Sequence, residues 1–227
     1  MKFKSNFLHV IFVLVIFVEK KDDKESLVMT GAVQLEKQLK PGKVYRREDL
    51  VRYSNAVDRH LAQLVSEGVL EKVAQGLYYF PKRTVFGVVP PKDETLVRSF
   101  LKDDRFLLTS PNSYNALRIG TTQLYNKRVV YNHKRHGEVD LNGRKFFFHK
   151  TPYFPKKATQ EFLLIDVVNH IDTLAEDREM VLNNVLAKAK TMDFSKLRCA
   201  VREYGHTKTK KLFEPLLNEM KSELYVH

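Results

Sequence analysis

The stretch LAQLVSEGVLEKVAQGLYY, residues 61–79, decides the fold of the N-terminal half. Its first part continues a helical pattern in which Val57, Leu61, Leu64 and Val65 fall at i, i+4, i+7 and i+8, one apolar stripe on a helix. Ser54 or Asn55 is placed to cap that helix, which is expected to run to Glu67, and Gly68 stops it, because only glycine takes the left-handed turn there at no steric cost. The opposite face carries Asn55, Asp58, Arg59, Gln63 and Ser66. Val69 to Val73 and Leu77 to Phe80 then flank Ala74-Gln75-Gly76, and this alternation around a glycine-containing turn predicts a β-hairpin.

Working outward, residues 30–39 predict a first helix with Val33, Leu35 and Leu39 near one face, ended by Pro41-Gly42. Val44-Tyr45 reads as a short extended link, and Arg47 to Tyr53 as a second helix carrying Leu50 and Val51. Three helices and a hairpin are the order of a winged helix-turn-helix, whose third helix enters a major groove while the hairpin acts as the wing. Candidate DNA-binding residues are therefore Asn55, Arg59 and Gln63 on the helix, Lys72 and Gln75 on the wing, and Lys82 and Arg83 just after it. The same module used for protein contact alone would keep these residues as a solvated face.

Pro81, Pro90 and Pro91 bracket an expected linker, and a helix from Asp93 to Leu101 follows. Phe106 to Leu108 reads as a buried strand, and Pro111 opens a helix that Gly120 ends. Leu124 to Tyr131, Val139 to Leu141 and Lys145 to His149 predict a small antiparallel sheet, with Asn142-Gly143 as a tight turn. Lys127, Arg128, Lys134, Arg135, Arg144 and Lys145 on and around it form either a second phosphate or RNA contact surface or a solvated face. From Ala158 onward the pattern is helical and predicts a C-terminal helical bundle, its first helix, Phe162 to Ile171, largely buried. The expected class is α+β, with a winged-helix domain over residues 29–87 and a mixed domain over 88–227.

The formal net charge is +12, a balance that favours polyanionic partners because each neutralised phosphate releases a counterion. The excess is uneven: residues 29–89 carry ten Lys and Arg against six Asp and Glu, residues 90–160 fourteen against six, and residues 161–227 ten against eleven. The neutral last third is thus expected to serve packing or protein contacts. One cysteine, Cys199, excludes an internal disulfide, fits a reducing cytoplasm and reads as a small core residue. Residues 1–28 hold an apolar leader, FLHVIFVLVIFV from Phe7 to Val18, about half the length a spanning helix needs. EKKDDKE follows it without a small-residue cleavage site. The expectation is that translation begins at Met29 and the leader is not native. A membrane or export signal, or a docked strand or helix, stays open.

Several segments resemble the AbiEi-type antitoxins, the regulatory half of abortive-infection toxin–antitoxin pairs. They are the wing ending Gly76-Leu77-Tyr78-Tyr79, the following Pro81-Lys82, the Phe86-Gly87-x-x-Pro90-Pro91 segment, and Ser110-Pro111-x-Ser113-Tyr114-x-Ala116-Leu117-x-x-Gly120-Thr121-Thr122-Gln123. A basic β segment ending Asn142-Gly143-Arg144-Lys145 completes the likeness, which covers roughly residues 30–150 and more weakly the rest. The leader is no part of that pattern. The resemblance implies an N-terminal domain that binds double-stranded operator DNA and represses its own operon. It also implies a C-terminal domain that opposes a nucleotidyltransferase toxin.

An enzyme is not expected. Phosphate-cradling and dinucleotide glycine loops are missing, as are C-x-x-C and H-E-x-x-H, so no metal or cofactor has a recognisable motif. Glu138, Asp140 and Lys145 superficially match a metal-dependent nuclease triad, and His133 and His136 read as solvated or phosphate-facing. The expected function is a cytoplasmic autorepressor and antitoxin. A stand-alone winged-helix regulator and, more remotely, a metal-dependent nuclease are the alternatives.

Overall fold

The computed structural model describes residues 31–224, so the leader lies outside the described residues. The protein is a mixed α+β structure with small sheets and several helices, and it divides between Phe100 and Leu101 into two compact units.

In the first unit, helix α1 covers residues 31–37. Strand β1 (Val44–Arg46) leads into a short helix α2 (Arg47–Leu50) and a 3-10 turn (Val51–Tyr53), and α3 (Val57–Ser66) follows. Strands β2 (Glu71–Ala74) and β3 (Leu77–Tyr79) form the expected hairpin around Gln75-Gly76. The segment read as an extended link is β1 itself, antiparallel to β3, so the sheet has the order β1-β3-β2. The core joins Ala32, Leu35 and Leu39 to Leu50, Val57, Leu61, Leu64 and Leu70. Each of these larger side chains contributes about 1.5–3 kcal/mol by leaving water. Val33 is not among them: it is 38% exposed, because the buried face of α1 runs through Ala32 and Leu35 instead, with Leu39 buried just beyond its end.

Gly68 stops α3 as expected, at φ +69°. The start of α3 differs. Ala56 is the N-cap and its side chain makes no capping bond, which places Asn55 in the preceding turn. Ser54 Oγ accepts from the Ala56 N–H and faces His60 Nδ1 at 2.7 Å. The expected linker is also corrected. Strands β4 (Lys82–Thr84) and β5 (Gly87–Val89) pair antiparallel as a second hairpin. Its tip is Val85-Phe86, closed by Thr84 Oγ1, which accepts from Phe86 N–H and donates to the Gly87 carbonyl.

Helix α4 (Asp93–Leu101) spans the division. In the second unit, β6 (Phe106–Thr109), β7 (Arg128–Asn132), β8 (Gly137–Leu141) and β9 (Arg144–Lys150) form one sheet in the order β6-β7-β9-β8. The sheet is mixed rather than antiparallel, since β7 and β9 run parallel while β6–β7 and β8–β9 are antiparallel. Asn142 and Gly143, both at positive φ, make the turn that carries the chain from the edge strand β8 inward to β9. The first predicted strand is shorter than expected: β7 starts at Arg128, and Leu124 is 84% exposed. The helix expected after Pro111 is a 3-10 segment, Pro111–Leu117.

Helix α5 (Gln160–Asn169) is buried continuously from Phe162 to Val168. It packs against that 3-10 segment and against α6 (Arg178–Ala189), α7 (Phe194–Tyr204) and α8 (Thr207–Leu224). Thr159, Asp177 and Asp193 cap α5, α6 and α7 with side-chain oxygens. Cys199 is half-buried on α7, its thiol directed at Glu203, and not a core residue. Among the described residues no helix is long and apolar enough to cross a membrane.

Candidate functional site

The apolar stripe of α3 turns its opposite face outward. Arg59 is exposed on that face and makes no ion pair or side-chain hydrogen bond among the described residues. Asn55 and Arg59 line one shallow concavity with Arg47, Val51, Ser54 and Asp58. Arg47, which the sequence did not single out, holds Asp58 through two 2.6 Å contacts, and this hydrogen bond draws the Asp58 carboxyl below its usual range. The carboxylate nearest Arg59 in sequence is therefore already paired. Gln63 is half-buried and donates to Glu67 at 2.9 Å, so its amide is engaged within the helix.

On the hairpins, Lys72 and Gln75 are exposed on and beside β2, and Lys82 and Arg83 are exposed on β4. Arg83 donates to the Gly68 carbonyl at 3.3 Å, which ties the second hairpin to the end of α3. Tyr79 anchors its other strand by donating to the Val89 carbonyl at 2.7 Å. Between these anchors and the tip, Val85 and Phe86 are 94% and 99% exposed. Sequence reasoning passed over this apolar tip because the prolines around it suggested a linker.

The six cations of the second unit do not share one surface. Strand alternation and register put Lys145 on the sheet face of Phe147 and His149, and Arg128 and Arg144 on the face of Phe146 and Phe148. Lys127 lies over the Phe147 ring at 4.7 Å and Arg128 over Phe146 at 5.7 Å. Lys134 caps the end of α4, donating to the Leu101 and Lys102 carbonyls at 3.2 and 3.0 Å and pairing with Asp103 at 3.2 Å. Arg135 is exposed in the β7–β8 connection. Lys145 pairs with Glu138 at 3.0 Å, while Asp140 accepts from the Gly143 N–H inside the hairpin turn. These three triad-like residues are thus engaged in holding the β8–β9 hairpin.

A further group escaped the sequence reading. Asp166 is 3% exposed in the middle of α5 and accepts hydrogen bonds from Tyr114 at 2.7 Å and Tyr131 at 2.5 Å. Burial, then the Asp166 charge, pushes both tyrosine hydroxyls far above their ordinary range. His170, one turn on, turns Nδ1 to the Asp166 carbonyl at 2.9 Å and to its carboxylate at 3.2 Å. Burial opposes a charge on His170, but the Asp166 contacts outweigh it and hold its pKa up. His149 stacks on Tyr131 with ring centres 5.4 Å apart, and burial, followed by His170 and His136, presses its pKa down to about 4. The signal in the sequence was a single Asp inside an apolar helix with a His four residues later. His133, by contrast, is tied to the Thr151 carbonyl at 3.0 Å.

No curated protein matches the chain. Residues 23–193, which cover the described part of the first unit and most of the second, match the family described as a family of unknown function, DUF6088, and the chain belongs to that family.

Proposed function

We propose that the first unit is a winged helix-turn-helix that reads duplex DNA. In this reading α3 lies in the major groove, the β2–β3 hairpin is the wing, and the protein represses its own operon. The observation that carries the reading is Arg59, a guanidinium without an ion-pair partner among the described residues, on the outward face of a helix whose other face is locked in the core. Its neighbour Asp58, which would repel phosphate, is neutralised by Arg47. Lys72, Lys82 and Arg83 on two projecting hairpins supply phosphate contacts. Such contacts fix register and orientation, whereas a guanidinium at a guanine edge specifies sequence.

The C-terminal unit, with its helices gathered on α5, is the antitoxin half in this proposal. The resemblance of residues 110–123 to AbiEi-type antitoxins supports that part, and a nucleotidyltransferase is the expected toxin. The sequence-reading residues are Asn55 and Arg59. Gln63 takes part only after releasing Glu67.

Binding to DNA from upstream of the gene, measured against a scrambled duplex at two salt concentrations, tests the reading. Arg59→Ala is expected to cost about 1–3 kcal/mol on the cognate duplex and to relax its sequence preference. Lys82→Ala is expected to weaken both duplexes alike and lower the salt slope by about 1. Unchanged cognate affinity in Arg59→Ala would remove α3 as the reader.

A further inference from the structure

We infer that the groove between α7 and α8 is a docking site for an acidic amphipathic helix of a partner protein. The two helices are joined by Gly205-His206 and bury Leu197, Ala200 and Val201 of α7 and Phe213 and Leu216 of α8 in the core. The side chains just outside that contact line an open groove of about 520 Å³. Phe194 and Leu217 are half-buried in it and give it an apolar lining. Its α8 residues run from Thr207 to Lys221 at spacings of three and four, so they share one helix face, about 21 Å long at about 1.5 Å per residue.

The charges around that lining have one sign. Arg198 on α7 and Lys210, Lys211 and Lys221 on α8 are exposed along the groove, and Glu214 is the one carboxylate that lines it. The groove thus takes four of the ten cations of residues 161–227 and one of their eleven acids, although that stretch as a whole has no positive excess. None of the four cations makes an ion pair or side-chain hydrogen bond among the described residues. Elsewhere on α8 the pattern is different, since Glu219 on another face is paired with Lys190 at 2.9 Å.

An apolar lining between cationic banks is the complement of a helix with one apolar stripe flanked by Asp and Glu, laid along the groove. The length of the α8 face matches a partner helix of about fourteen residues. Carboxylates on that helix gain charge-assisted bonds, with Arg198 able to hold one through two parallel N–H groups. A nucleic-acid strand fits less well, because such strands bind on successive stacked aromatics and Phe194 is the one aromatic residue lining the groove. A second copy of this chain, at a net charge of +12, would set like charges against the same banks. The site is separate from α3 and does not depend on the DNA reading.

The full chain tests this with labelled peptides of about fourteen residues, read by fluorescence anisotropy at neutral pH. The first peptide carries leucines at helical spacing with glutamates on both flanks, the second the same residues in an order without a stripe, and the third lysines in place of the glutamates. The first is expected to bind saturably and about tenfold tighter or more than the second. The double variant Lys210→Glu/Lys211→Glu should weaken the first peptide about tenfold or more and bind the third in its place. Lys196→Glu/Lys208→Glu makes the same change in net charge at exposed positions outside the groove, and should shift the first peptide by about twofold or less. Circular dichroism checks the folding of both variants. The inference is overturned by no saturable binding of the first peptide, by equal binding of the first and second, or by equal effects of the two double variants. Displacement of the first peptide by an equimolar oligouridylate assigns the groove to a nucleic-acid strand and overturns it too. So does self-association, seen by light scattering, that Lys210→Glu/Lys211→Glu abolishes, which assigns the groove to a second copy.

Discussion

Asp166 shows how much a single residue can be asked to hold. Its carboxylate sits in an otherwise apolar helix interior and is tolerated because two tyrosine hydroxyls and His170 saturate it. Tyr131→Phe removes one hydrogen bond to a charged acceptor and is expected to cost about 1.5–3 kcal/mol. Asp166→Ala leaves both buried hydroxyls without their acceptor and opens a cavity, so about 3–5 kcal/mol is expected. Denaturant unfolding of the two variants measures the difference. A smaller loss for Asp166→Ala than for Tyr131→Phe would mean that the network is not what fixes this core. Tyr114, Tyr131, Asp166 and His170 lie far apart in sequence except for the last two, so only the Asp in the apolar run and its His at i+4 were legible beforehand. Which hydroxyls would meet them depends on the parallel pairing of β7 with β9 and on the packing of α5, neither of which leaves a local trace.

At the scale of elements, α1 and α3 approach so closely that a side chain would not fit between them. A Cβ built on Gly31 would lie 2.4 Å from His60 Cε1, and the His60 ring is buried and engaged with Ser54 Oγ. Alanine ordinarily favours a helix over glycine by about 1 kcal/mol, yet here overpacking of about 1–3 kcal/mol opposes it. Gly31→Ala is therefore expected to lower stability, and a raised melting temperature would show that the contact is loose. The same scale explains what the sequence could convey. Helix α3 was readable because its stripe and terminal glycine are local signals, and the β8–β9 turn because Asn-Gly favours positive φ at both positions. The β4–β5 hairpin was not, since its Val85-Phe86 tip carries no turn residue and relies on the Thr84 hydroxyl to close it. The start of α3 was misplaced for a related reason: Ser54 was free to cap the helix, but its hydroxyl serves Ala56 and His60 instead.

For the whole molecule, the buried side chains packed around α3 belong to the first unit, and those packed around α5, with His149 and His170, belong to the second. Two histidines there couple stability to pH with opposite signs. His149 has its folded pKa pressed down to about 4, against about 6.5 in an unfolded chain, so the unfolded state binds more protons between those values. Stability from this group is full above pH 6.5 and is lost as pH falls toward 4, by roughly 2 kcal/mol after allowance for partial exposure. His170 has its pKa raised by Asp166, so its contribution is present below pH 6.5 and is lost as pH rises through the folded value. Acidification from neutral pH therefore sets a loss from His149 against a gain already secured by His170, and the loss is the larger change below pH 6. Urea midpoints at pH 7 and 4.5 separate the two, because carboxylates titrate alike in both chains when the original sequence is compared with His149→Gln. The substituted chain should lose less stability over that interval, by about 1–2 kcal/mol. An equal loss in both would mean that the His149 ring is solvated and that its stacking on Tyr131 does not restrain its charge.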